Sequence, residues 1–565
     1  MTRTVHTMTH CALARAVWLL CAVPLGAAAQ LAPSVPNAGS LLQQVPPPAL
    51  SPRPNRASGL TLRQPDGQAL PPSAPFEVRG ITISGNTLIT SEVLGALVAD
   101  AIGQPLTLPQ LEALAARITQ AYQRRGYPLA RAIVPAQTIE DGQVRLQVIE
   151  ARFGEVRLDN QSRSGNRLLS ATLSPLQSGE VIAQDSLDRA LLLLSDIPGV
   201  VSMATLSPGS EVGTSDLLVG VQPGARVSGQ LTADGHGSQS AGRSRAGASL
   251  NLINTLGLGD VLSATALSSG KGLNHGGLSY ELLLNGLGTR LGVGISSLRY
   301  ELIGGLAKLD AHGTAEVLSA VLRQPLVRRS NANLSASLTI DRTTLRDRVD
   351  VSSIATDRTM HNANLGVHGD LVDGWAGGGL TTADAGVLTG RVGFDKSIAK
   401  QGDAASAQTE GGFTKWTLNV SRVQSVGASG SLHLSARAQR ASCNLDASQK
   451  LSVGGPGGVR GYDSGAAPGD EGEIFSAEYR HTVRLSAPGL WQATVFADTA
   501  RVRINAKPFA AGSNHLRLSG AGVGLNWRLD AWQARLAVAM PVGAVPSTMD
   551  ATRTTRGWID ISRQF

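Results

Sequence analysis

Arg460 stands near the tip of Gly454-Gly455-Pro456-Gly457-Gly458-Val459-Arg460-Gly461-Tyr462. Six of the first eight residues there are Gly or Pro, so no helix or interior strand holds the stretch, and its backbone can take positive φ and fold tightly against a neighbour. Small flanking residues let a guanidinium approach a carboxylate closely and form a forked, charge-assisted pair. The carboxylate that fits is Asp498, in Thr494-Val495-Phe496-Ala497-Asp498, where strand alternation puts Thr494, Phe496 and Asp498 on one face. Such a pair anchors a loop; it is not catalytic machinery.

Other chemistry is missing. Around Gly270-Lys271, Thr265 stands where a phosphate loop needs glycine and Gly272 where it needs a hydroxyl. The Gly454 to Gly461 run lacks the following helix of a dinucleotide site. No histidine pair in the exported part has helical metal spacing, and Cys443 has no thiolate companion. No catalytic, metal-binding or cofactor-binding residue is assigned, and the chain is not expected to be an enzyme.

The elements that position Arg460 and Asp498 follow from composition and pattern. The chain has 565 residues, more than one core usually serves. Charged residues are 16%, against about 25% in globular proteins, and glycines number 65, which suits many strands and tight turns. Residues 1–29 read as an export signal, with Arg3 and Arg15, an apolar run from Ala16 to Gly26, and Ala27-Ala28-Ala29 before Gln30. Cleavage leaves Cys443 as the single cysteine, so no intramolecular disulfide forms. No mature segment carries eighteen consecutive apolar residues, so a membrane location requires a barrel or surface association. The net charge of +8 comes without a Lys/Arg run, and aromatics are 4%, which disfavours nucleic acid as a partner.

Residues 30–75 are rich in Pro, Ser and Gln and read as an extended linker, within which Asn37 to Val45 forms one short helix before Pro46 or remains a tail. Residues 76–151 read β-α-α-β-β. Ser91 caps a first helix with Val93, Leu94, Leu97, Val98, Ala101 and Ile102 on one side, and a second carries Leu108, Leu111, Leu114, Ala115, Ile118 and Tyr122. Residues 152–223 repeat the pattern, with helices at Asn166 to Leu173 and Ser186 to Ser195. From 224 to 565 the helical period gives way to alternation punctuated by turns such as Asn254 to Asp260 and Asn285-Gly286. These 342 residues, at about twenty per strand and turn, give roughly sixteen strands. The terminal Trp558 to Phe565 alternates as a last barrel strand, with Arg563 on its apolar side.

Val459-Arg460-Gly461-Tyr462 resembles the inward-folded loop tip of outer-membrane transporters built from POTRA domains and a β-barrel, and Phe496-x-Asp498 resembles the strand motif that receives its arginine. Ile81-x-Ile83-x-Gly85-Asn86, Arg125-Gly126-Tyr127 and Leu191 to Val200 resemble POTRA segments, the last as in two-partner secretion transporters of the ShlB/FhaC/HecB type. One departure is Ala500, where that motif commonly has glycine. The resemblance implies two α+β POTRA domains, at 76–151 and 152–223, before a transmembrane antiparallel barrel whose inward loop lies near 454–465. It implies a plug helix bearing Leu41, Leu42 and Val45. Such a protein sits in the outer membrane with its POTRA domains in the periplasm. It captures an unfolded exoprotein of adhesin or haemolysin type and exports it through a porin-like channel to the cell surface, needing no cofactor and working as a monomer among outer-membrane lipids. The alternatives are a barrel-assembly factor of the same superfamily, a passive porin, and POTRA modules that are mere spacers.

Overall fold

The computed structural model describes residues 35–45, 59–62, 72–509, 511–546 and 554–565. The export signal expected at 1–29 and much of the linker lie outside the described residues.

The first α+β module has β3 (Gly80–Ser84) parallel to β6 (Gln143–Ile149), which pairs antiparallel with β5 (Arg131–Ile133). A short ribbon of β2 (Phe76–Glu77) and β4 (Pro105–Leu106) stands apart. The helix α3 (Leu108–Arg124) opens on a Thr107/Gln110 capping box and buries Leu111, Leu114, Ala115, Ile118 and Tyr122 against Val144, Leu146 and Val148. The helix before it, α2 (Ser91–Ala96), is shorter than the sequence suggests. Gly95 weakens its last turn, a 3-10 turn at Ala99–Ala101 replaces the rest, and Val93 and Ile102 are exposed. Thr90, not Ser91, occupies its N-cap.

The second module contains β7 (Arg152–Asn160), α4 (Asn166–Leu173), α5 (Gln184–Ser195), β8 (Val200–Pro208) and β9 (Thr214–Pro223). The linker contributes to its sheet. Strand β1 (Leu60–Leu62) pairs parallel with β8, giving the order β1-β8-β9-β7, where a structureless connection is expected from composition. Helix α5 is apolar around its circumference at Leu191-Leu192-Leu193-Leu194, all buried. It lies between its own sheet and the barrel, where Arg189 donates to the Pro325 and Leu326 carbonyls. Arg328 forks onto Asp196, just past the helix end, at 2.6 and 2.9 Å.

Sixteen antiparallel strands, from β10 (Val227–Asp234) to β25 (Arg556–Gln564), close into a barrel through the β10–β25 seam. Closure leaves no edge for water or another chain to reach inside the bilayer. Alternation points Leu231, Val293, Ile295, Ile340, Leu365 and Leu536 outward as an aliphatic band. Arg563, on that outer side, stacks 5.4 Å over the Trp532 ring. Turns at one end meet the second module, with the Gly165 amide donating to the Gly257 carbonyl. From the opposite end, the connection between β20 (Gly430–Ala441) and β21 (Glu471–Val483) folds back into the lumen.

Candidate functional site

This inward connection shapes itself by backbone contacts, because it has few side chains to pack. Leu451 and Gly469 exchange two hydrogen bonds at its neck, the Gly454 amide donates to the Ala466 carbonyl, and Val459 donates to the Val453 carbonyl at 2.7 Å. Glycine is required at Gly455, where φ is +104°. The side chains of Val453, Val459 and Tyr462 bury themselves against Ile474, Ala500, Val502 and Leu518 of the wall. The Ala500 methyl, standing where glycine is common, is thus part of the surface on which the loop sits.

Arg460 meets the wall at Asp498 of β22 (Leu490–Arg503). Its Nε donates to Oδ2 and its Nη2 to Oδ1, both at 2.8 Å, and its backbone amide donates to Oδ2 at 3.1 Å. The guanidinium lies 3.4 Å from the Phe496 ring centroid, a cation–π contact from the next inward residue of the same strand. Two wall residues join that sequence reasoning missed. Glu478 accepts from Nη1, and Ser476 accepts from Nη2 at 3.2 Å while donating to Asp498 at 2.7 Å. Both sit on β21, in register with Phe496 and Asp498 respectively. The signal was the alternation of Ser476, Glu478 and Arg480 on the strand that leaves the loop. Arg480 in turn donates to Glu478 at 2.6 Å.

The rest of the motif fixes the backbone. The Trp558 indole donates to the Arg460 carbonyl at 2.9 Å. Gly461 packs where a Cβ would come within 2.9 Å of the Met540 and Pro541 backbone. Asp463 accepts from Arg243 at 2.6 Å and Arg556 at 3.1 Å. The Asp498 side chain is fully buried and that of Arg460 only 13% exposed, so the fork is shielded from the solvent that makes surface pairs weak.

A second element shares the lumen. Helix α1 (Ala38–Leu42) is shorter than the stretch expected, with Asn37 as its N-cap and Ser40 completing a capping box. Its Leu41 is fully buried among Leu267, Leu298, Leu345, Met360 and Phe413, with Leu42 and Val45 half-buried beside it. It touches both wall and loop. The Ala38 amide donates to Asp347 and the Gln43 amide group to the Ala447 and Lys450 carbonyls at the root of the loop. Gly39 packs where a Cβ would lie 2.8 Å from the Ser448 amide nitrogen. Buried Arg358 donates to Asp347 at 2.7 Å and to Asp446 at 2.5 Å. No sequence signal singled out this triad, whose members are 11 and 88 residues apart.

Residues 213–527 match the family described as haemolysin secretion/activation protein ShlB/FhaC/HecB, and residues 76–151 match the ShlB-type POTRA domain. The chain is 27% identical over 489 residues to the Heme/hemopexin transporter protein HuxB of Haemophilus influenzae (strain 86-028NP), covering 85% of each. It is 25% identical over 435 residues to the Outer membrane transporter CdiB of Escherichia coli O6:K15:H31, covering 72% of this chain and 71% of that one. The fold is that of CdiB from Escherichia coli, with a TM-score of 0.70 at 21% identity, covering 89% of this chain and 93% of that one. A match over more than half its length settles membership: this chain belongs to the ShlB/FhaC/HecB family, the non-enzymatic outer-membrane transporters of two-partner secretion.

Proposed function

We propose that the chain works as a gated monomeric channel. The two periplasmic α+β modules, 76–151 and 152–223, capture an unfolded exoprotein of adhesin or haemolysin type, and α1 and the Arg460 loop yield the lumen to it. The observation that carries this reading is the shared occupancy of the lumen. Plug and loop contact each other and meet one buried cation, Arg358, through Asp347 and Asp446. A static filler needs no such linkage, whereas a gate that must reset benefits from parts that return together.

Capture fits the sheets of the modules. In the first, β3 and β5 are the edge strands; the outward Ala132 amide of β5 is taken by the Thr119 hydroxyl at 2.9 Å, so the β3 edge is the one to which an extended client adds by main-chain hydrogen bonds. Export needs no nucleotide site in this reading; folding of the emerging chain outside supplies the direction. The relatives' names mention heme/hemopexin and hemolysin, so the shared apparatus, not the cargo, is what carries over. Residues 76–222, purified without the barrel, should bind the N-terminal portion of the exoprotein in calorimetry. No heat and no cross-link with that client would make the modules spacers.

A further inference from the structure

The outward face of the barrel changes character along its strands. On β22 and β23 (His515–Leu529) it starts, at the end nearer the periplasmic modules, with Trp491 directly opposite Trp527, their ring centroids 6.0 Å apart. The outward positions that follow, Ala493 to Thr499 on one strand and Leu525 to Ser519 on the other, are all uncharged. The run ends on Arg501 directly opposite Arg517. Ten residue steps separate Trp491 from Arg501, about 34 Å along a strand at about 3.4 Å each. At a tilt of about 45° this is about 24 Å of height, the depth of the apolar band of such barrels. Tryptophan thus marks one membrane boundary and arginine the other, on the side from which the inward loop folds back.

The pattern recurs on the neighbouring wall. On β16 (Ala332–Val349) the outward positions from Ala332 to Ile340 are uncharged and Arg342 follows; on β18 (Gly379–Phe394) those from Thr381 to Thr389 are uncharged and Arg391 follows. His361 of β17 (Ile354–Asp373) stands between the two arginines, directly opposite each. All four arginines are exposed. The carboxylates at this level are engaged elsewhere: Glu316 with Arg346, Asp357 with Arg348 and Lys396, and Glu473, opposite Arg501, with Arg440. Among the described residues none lies within ion-pair distance of Arg342, Arg391, Arg501 or Arg517. Like charges directly opposite each other destabilise a sheet, so Arg501 beside Arg517 is costly until an anion comes between them.

We infer that the Arg501–Arg517 pair and the Arg342–His361–Arg391 row are binding sites for the phosphate groups of a phosphorylated glycolipid in the outer leaflet. A guanidinium takes a phosphate through two parallel N–H donors, and arginines on adjacent strands bracket one phosphate between them. The acyl chains of the same lipid then lie along the aliphatic band, against Val495 and Val523 below one cluster and Leu338 and Ile340 below the other. The boundary that meets the phospholipid leaflet is built differently, from Trp491, Trp527 and Trp532, with Arg563 stacked over the last. The two rims of the barrel are therefore matched to two different headgroups.

The test titrates the full-length protein in detergent with diphosphoryl lipid A, with lipid A stripped of both phosphates, and with phosphatidylglycerol, and counts bound molecules by native mass spectrometry. Diphosphoryl lipid A should bind at least tenfold more tightly than either of the others, a comparison that needs no variant. Equal binding of stripped lipid A overturns phosphate recognition, and equal binding of phosphatidylglycerol overturns recognition of the glycolipid. Arg501→Gln with Arg517→Gln, and Arg342→Gln with Arg391→Gln, should each lose one lipid A site, and all four substitutions together should lower affinity at least tenfold. Arg563→Gln, at the other boundary, should bind as wild type does. Full binding by the fourfold variant overturns the placement on these arginines. Without lipid, the Arg501/Arg517 double variant should keep its folded-barrel migration on gels to at least the temperature at which wild type does, because a repulsion is gone. A lower temperature would show the pair satisfied within the protein and overturn that site.

Discussion

Arg358 and Asp446 join the barrel wall to the root of the inward loop, the Arg358 Nε donating to Asp446 at 2.5 Å while its Nη1 donates to Asp347 at 2.7 Å. Asp347 also accepts from the Ala38 amide of α1 at 2.7 Å and from the Tyr300 hydroxyl. Replacing Arg358 by Met leaves two buried carboxylates facing each other without a cation, a cost of about 3–5 kcal/mol. Ion conductance of Arg358→Met in planar bilayers should therefore rise, with heat-modifiable migration retained because fifteen other strands keep the wall closed. Wild-type conductance would show that the triad holds only the wall together.

Deleting residues 31–50 should raise conductance further, since α1 fills the space among Leu298, Leu345 and Met360. Leu41→Asp provides the milder form. A carboxylate in that apolar site is costly unless it escapes to water, so the open fraction should rise with the chain length unchanged. A conductance equal to wild type in both variants would place the pore's resistance in the loop alone.

Gly461→Ala tests how closely the loop must approach the wall. The added methyl meets backbone atoms of Met540 and Pro541 at 2.9 Å, which cannot swing aside; overpacking of this kind costs about 1–3 kcal/mol. Secretion should fall severalfold. Gly557→Ala, where an added Cβ meets nothing within 4 Å, is the matched control and should secrete normally. Equal secretion by the two would mean the loop does not need its seat on Met540.

The first POTRA module carries a pH-dependent tie. Burial opposes ionisation of Glu150, but hydrogen bonds from the Thr87 side chain, the Leu88 and Thr87 amides and the Tyr122 hydroxyl outweigh it and hold its carboxyl below the ordinary range. A depressed carboxylate contributes stability above its unfolded pKa, near 4.3, and loses it as pH falls through the folded value. Hydrogen exchange at Thr87 and Leu88 should thus be slow at neutral pH and accelerate below about pH 4, after correction for intrinsic rates. Glu150→Gln should remove most of that pH dependence; an unchanged profile would assign it to another group.

Much of this architecture is legible in the sequence because local periodicity and global fold agree. The switch from helical spacing to alternation near residue 224 marks the barrel, and 342 residues divide into the sixteen strands observed. Arg460 and Asp498 stood out because a lone cation in a glycine-rich loop needs a partner. Glu478 did not, since choosing it requires the register that sets Glu478 beside Phe496. Strand β1 was hidden for a different reason: three residues carry too little periodicity, and their conformation is imposed by the β8 edge. In the Asp347–Arg358–Asp446 triad the first two lie across one hairpin, on the adjacent strands Ala332–Val349 and Ile354–Asp373, but Asp446, 88 residues from Arg358, reaches it only because the loop folds into the lumen, which leaves no local trace.

Arg460 anchors the loop to the wall through Asp498, and transport should depend on that anchor. Exchanging Arg460 with Asp498 is a less clean test than it seems, because an aspartate at 460 would face Glu478. Arg460→Ala is more direct. It leaves the buried Asp498 carboxylate without its cation, with only the Ser476 hydroxyl and the residue 460 amide donating to it, a loss of about 3–5 kcal/mol of local anchoring, while the hydrogen-bonded wall is untouched. The measurement is the amount of cognate exoprotein reaching the cell surface or medium at equal levels of heat-modifiable, folded barrel. Secretion should drop at least tenfold for Arg460→Ala, with Arg460→Lys between it and wild type because one ammonium cannot fork onto Asp498. Wild-type secretion by Arg460→Ala would contradict that dependence.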